Sequence, residues 1–132
     1  MILARTYLIF VAILYLGLAL WCTASPQVTS NKVGLELKGG AGNSEFMTVY
    51  GGLEFGIALA LCYCSIRSQS VYDGLVICTL MHGALVLFRT LSFLRYAEIS
   101  NMIYRLAIGE WIIFLAGVGL LIYFRQQFSR LN

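Results

Sequence analysis

Apolar residues fill four stretches of the chain as continuous runs rather than in alternation, at about 7–24, 46–66, 74–94 and 102–124. A helix rising ~1.5 Å per residue needs ~20 such residues to cross ~30 Å of hydrocarbon, and each run meets that length closely. Polar and small residues gather between the runs, and only the stretch 25–45 is long enough to form an extended loop. The pattern predicts an all-α fold, an integral membrane four-helix bundle. Residues 1–132 form a single transmembrane domain with no room for a soluble one.

Boundary residues agree with this division. Ser25-Pro26 should end the first helix, because proline removes a backbone donor and disfavours helical geometry in the residue before it. Ser70 and Asp73 have the spacing of a capping box ahead of the third run, Ser100-Asn101 precede the fourth, and Asn43 is placed to cap the second after a glycine-rich turn. Tyr7, Trp21, Tyr63, Tyr72, Tyr96 and Tyr123 lie near span ends, where such rings favour the headgroup layer. The first run, with Arg5 before it and Cys22-Thr23-Ala24 after it, also has the outline of a signal peptide. Keeping it as a helix completes the bundle.

Composition strengthens the membrane reading. The chain is 60% hydrophobic and 11% charged, against roughly 45–50% and about 25% in soluble domains. The net charge of +3 is spread along the sequence without a basic stripe, which argues against nucleic acid as a partner. Arg5, Arg67, Arg125 and Arg130 lie on the side of the termini and middle loop; Lys32, Lys38 and Arg95 lie on the other, with Arg105 ambiguous. This slight excess predicts cytoplasmic termini.

The candidate chemistry is a set of charges inside the spans. Glu54 lies in the second, His82 and Arg89 in the third, Glu110 in the fourth, and Arg105 in the fourth's first turn. An ionisable group in hydrocarbon costs several kcal/mol and calls for a partner. Both glutamates fall eight residues inside their predicted spans, ~12 Å deep, between the depths expected for Arg89 and His82. His82 and Arg89 are seven residues apart and share a helix face. An arginine fork suits one carboxylate in a bidentate pair and cannot serve two equally, so one glutamate is expected to be left to carry a proton, unless Arg105 turns inward. Tyr50, one turn before Glu54, is placed to hydrogen-bond it. His82 by itself reads as a hydrogen-bonded core residue, since no second histidine exists to complete a metal site.

Glycines supply a second pattern. Gly51, Gly52 and Gly56 near Glu54, and Gly109 and Gly117 on the fourth span, offer small faces that let helices approach closely. The four cysteines lack the spacing of a disulfide framework, zinc site or redox pair. No nucleophile triad is recognisable, so neither catalysis, a cofactor nor a metal is expected.

The residues YGGLEFGIALAL at 50–61, LFRTLSF at 87–93 and AIGEWIIFL at 107–115 resemble a family of bacterial membrane proteins, the domain of unknown function numbered four-three-four-five. The resemblance covers nearly the whole chain and implies four transmembrane helices in a bacterial inner membrane, without implying an activity. Its motif positions are Tyr50, Gly51, Gly52, Glu54, Arg89 and Glu110. An arginine associated with the helix start ahead of the family's glycine pair is absent, and Met47 and Thr48 stand in that neighbourhood.

Two readings of the polar layer follow. It is either glue that aligns the helices of a structural or accessory protein, in contact with lipid and with a second copy or a larger membrane partner, or a small-ligand or proton-coupled transport site built on Glu54 and Glu110. A cavity of ~300 Å³ or more touching either acid would favour the second.

Overall fold

A computed structural model describes residues 1–129; Arg130, counted above on the terminal side, lies outside them. The described residues contain helices and no strand. Helix α1 covers Ile2–Ala24, α2 Pro26–Lys32, α3 Gly39–Phe46, α4 Glu54–Ile66, α5 Val71–Arg95 and α6 Asn101–Ser129, with a π-helical segment, Met47–Leu53, joining α3 to α4. Four helices are long and apolar enough to cross a membrane: Ile2–Ala24, Gly39–Ile66, Val71–Arg95 and Asn101–Gln126. This is the architecture of a multi-pass membrane protein.

The expected loop at 25–45 is the main correction. Ser25 leaves helical geometry at φ −142° and ends α1, but Pro26 then serves as the first residue of α2, where its missing N–H costs nothing. Gly34, at φ 78°, turns the chain, and Gly39, at φ 58°, opens α3; both are backbone states that favour glycine. The glycine-rich stretch therefore winds into helix and extends the second span. Asn43 is not a cap: its side-chain amide donates to the Gly39 carbonyl, 2.7 Å away and one turn back. Where water is scarce a backbone must satisfy itself, which favours continued winding even through glycine. Ser70 does occupy the cap position of α5, yet makes no side-chain cap bond.

In the bundle α1 packs most extensively against the second span and α5 against α6. Lesser contacts join α5 to both α1 and α4, leaving α4 and α6 at opposite corners. The apolar core lies toward the end that carries the N-terminus and the α4–α5 turn, and is built from Ala4, Leu8, Val11, Ala12, Leu61, Val71, Leu75, Cys78 and Phe124. α1 is thus an integral member of the core. Aromatic and basic side chains pair near the helix ends, with Lys32 over Trp21 at 5.2 Å, Arg67 over Tyr63 at 5.2 Å and Arg95 over Tyr96 at 5.6 Å. Tyr7 departs from the predicted belt: its hydroxyl donates to the Ile113 carbonyl at 3.0 Å, inside the bundle.

The glycines that bring helices together are only partly those expected. A Cβ at Gly51 would fall 2.5 Å from Thr23 Oγ1, and one at Gly117 would collide with Thr79 Oγ1 and the Tyr7 hydroxyl. Gly74, against Cys64 and Leu8, and Gly83, against Phe114, make similar approaches. Gly52, Gly56 and Gly109 do not: a Cβ at Gly56 or Gly109 meets nothing within 4 Å, and one at Gly52 meets only a backbone oxygen of its own helix at 4.0 Å. A four-residue spacing identifies a common face without saying whether that face turns inward.

Candidate functional site

The polar layer occupies the half of the bundle toward the α5–α6 connection, above the apolar core. Arg89 of α5 reaches Glu110 of α6 in a bidentate pair, with Nε donating to Oε2 at 3.0 Å and Nη2 to Oε1 at 2.6 Å. It is the one salt bridge among the described residues, and its side chains are 26% and 15% exposed. Both oxygens of one carboxylate are thus engaged by one planar fork, the geometry in which arginine binds carboxylate most strongly. Arg105 is exposed and stays out of the layer.

Glu54 is treated differently. Its Oε2 is buried and has no hydrogen-bond partner, and Arg89 does not bridge to it. The two acids stand on α4 and α6, the corners that pack least with each other, and a fork closed on one is unavailable to the other. The expected Tyr50–Glu54 hydrogen bond is also absent. Tyr50 leans back one turn to stack on Phe46, at 4.6 Å between ring centroids, as aromatic side chains on helices tend to do. Its phenol lies within electrostatic range of Arg89 instead. The π winding contributes here. Buried Phe46 is followed at a five-residue step by buried Gly51, after which Gly51, Glu54, Ala58 and Leu61 continue inward at helical spacing.

His82 is 1% exposed and bonds to neither acid. Its Nδ1 lies 2.9 Å from the Cys78 carbonyl oxygen, which can only accept, so Nδ1 carries the ring proton. That leaves Nε2 to accept from the Tyr15 hydroxyl at 3.4 Å. The Cys78 thiol donates to the Tyr7 oxygen at 3.5 Å, and Tyr7 in turn donates to Ile113. The network joins α1, α5 and α6 and ends on backbone carbonyls, as a satisfied structural network does. Tyr15 and Cys78 were not singled out from the sequence as part of the site, and Tyr7 was read there only as a headgroup-layer ring, because lone aromatic and thiol groups in apolar runs carry no periodic signal. Tyr15 sits within electrostatic range of both Glu54 and Glu110 and is the nearest thing to a link between them.

Three spans thus contribute to the layer, with Glu110 and Arg89 paired, His82 bonded elsewhere and Glu54 left over. A cavity of about 450 Å³ is lined by Met1, Gln69, Tyr72, Asp73 and Arg125, at the far end of the bundle, and touches neither acid. All four cysteines are free, and no group of metal-binding side chains forms among the described residues. Comparison with protein families, curated proteins and solved structures yields no match to the chain. The family resemblance therefore rests on the residues quoted for it.

Proposed function

We propose that this chain is a non-catalytic structural or accessory protein of a bacterial inner membrane, with both termini in the cytoplasm. Its polar layer sets which helix faces meet, and its outer surface meets lipid and a second copy or a larger membrane partner. The single observation that carries the reading is the closure of Arg89 on Glu110 within one chain: both carboxylate oxygens are taken by a residue of the adjoining helix. The bonded His82 network has the same character, and the outward Gly52 and Gly56 leave a lipid-side face on which a partner helix has room to approach. A transporter that uses Glu54 and Glu110 as a working pair is the weaker reading, because Glu110 is held by Arg89 and the 450 Å³ cavity lies elsewhere.

The test is a pair of substitutions read two ways. Arg89→Met alone should weaken the fold, and adding Glu110→Leu should restore most of it, since apolar groups can replace a buried ion pair when both partners leave together. Liposomes containing the unaltered chain should hold an imposed pH gradient as long as empty ones. Faster decay that the double substitution abolishes would overturn the accessory reading in favour of transport.

A further inference from the structure

The polar layer neutralises one of its two acids and leaves the other without a counter-charge. Glu54 faces inward on α4, one turn beyond Gly51, where the second span comes so close to α1 that a single methyl would strike Thr23. Its Oε2 is closed off from solvent and from every donor. The titratable groups around it are committed or neutral. From α1, Cys22 and Tyr15 lie within electrostatic range, and Tyr15 gives its hydroxyl proton to His82. On α5, which packs against α4, the one proton of His82 goes to the Cys78 carbonyl and Arg89 is closed on Glu110 of α6; Tyr50 of the π segment is stacked on Phe46.

We propose that Glu54 is a proton-binding site within the membrane, situated at the seam between α1 and the second span. An ionised carboxylate without a counter-charge in hydrocarbon costs several kcal/mol, and the neutral acid avoids that cost. A hard metal cation is a poor substitute, since it needs six or more oxygen ligands and no metal-binding cluster forms among the described residues. The Tyr15 hydroxyl, in electrostatic range of Glu54, is directed to His82 and brings no positive charge to the carboxyl. The π segment ends at Leu53, immediately before Glu54, and such irregular turns within helices are frequent at functional positions.

The site goes beyond the accessory role and is tested separately from it. The full chain in detergent micelles is exposed to a lipid-soluble carbodiimide at a series of pH values. This reagent adds to a protonated carboxyl: the proton passes to one carbodiimide nitrogen, the carboxyl oxygen bonds to the central carbon, and the adduct rearranges to an N-acylurea with nothing leaving. Labelling should fall on Glu54, decline about tenfold per pH unit above its midpoint, and vanish in Glu54→Gln. Glu110 should be labelled only once Arg89→Met frees it. Infrared difference spectra between low and high pH give a second reading that needs no reagent access: a protonated-carboxyl band present in the unaltered chain and missing in Glu54→Gln. The absence of that band at every pH would overturn the proposal, and would mean an ionised Glu54 held by a cation or by a partner's basic side chain. Labelling of Glu110 equal to that of Glu54 in the unaltered chain would overturn it too. Proton binding without flux leaves the accessory reading standing, whereas flux would sink that reading and spare this one.

Discussion

Glu54 and Glu110 are the same side chain in similar apolar company, and they end in opposite states. Glu110 accepts from two nitrogens of an arginine fork on the adjoining helix; Glu54 has a buried oxygen with no hydrogen-bond partner. Neither neighbouring sequence nor distance from the helix start accounts for this. The matching eight-residue offsets dissolve once the second span is seen to begin at Gly39. Helix pairing decides the outcome. α5 and α6 lie side by side over much of their length, while α4 leans on α1, which carries no cation at that level. A charge inside a membrane protein is thus understood from the helix that faces it, and two identical acids can serve as a clamp and as an unpaired group in one bundle.

Breaking the clamp should have the largest effect. Arg89→Ala strands an anion in a half-buried site and is expected to lower stability by about 3 kcal/mol, measured by unfolding in mixed micelles. The cost should fall when Glu110→Ala is added. Removing His82, buried and twice hydrogen-bonded, should cost about 2 kcal/mol through lost bonds and a cavity. His82→Ala melting like the unaltered chain would show that the network is not a structural link. Crowding the helix contacts comes next: Gly117→Ala pushes a methyl toward Thr79 and Tyr7 and should cost about 1–2 kcal/mol, whereas Gly56→Ala, with nothing near, should be neutral or stabilise by a few tenths of a kcal/mol. Equal losses at the two glycines would refute the assignment of inner and outer faces. The smallest effect sharpens the contrast most. Glu54→Gln removes a charge that has no partner and should shift stability by less than about 1 kcal/mol, against about 2 kcal/mol for Glu110→Gln, which leaves Arg89 without its counter-charge. If the two substitutions cost the same, the clamp and the free acid are not distinct.

Much of the molecule was legible in the one-dimensional pattern, because crossing hydrocarbon is a local requirement. Length and apolarity of a run suffice for it, so the four spans, the break at Ser25-Pro26 and the polar residues within the spans could all be found without knowing any neighbour. Winding at 26–32 and 39–46 escaped, the latter because glycine and asparagine favour turns in water and lose that preference where the backbone must bond to itself. Pairing escaped for a different reason. Which glycines face inward, why Tyr50 stacks on Phe46, and which acid Arg89 takes all depend on the relative rotation of helices from distant parts of the chain. A five-residue step at Met47–Leu53 alters that rotation without a clear mark in composition. That opposite charges would share an interior followed from the residues within the spans; that one acid is clamped and the other left unpaired followed from how the helices pack, because a planar fork closes on the carboxylate that packing brings within reach.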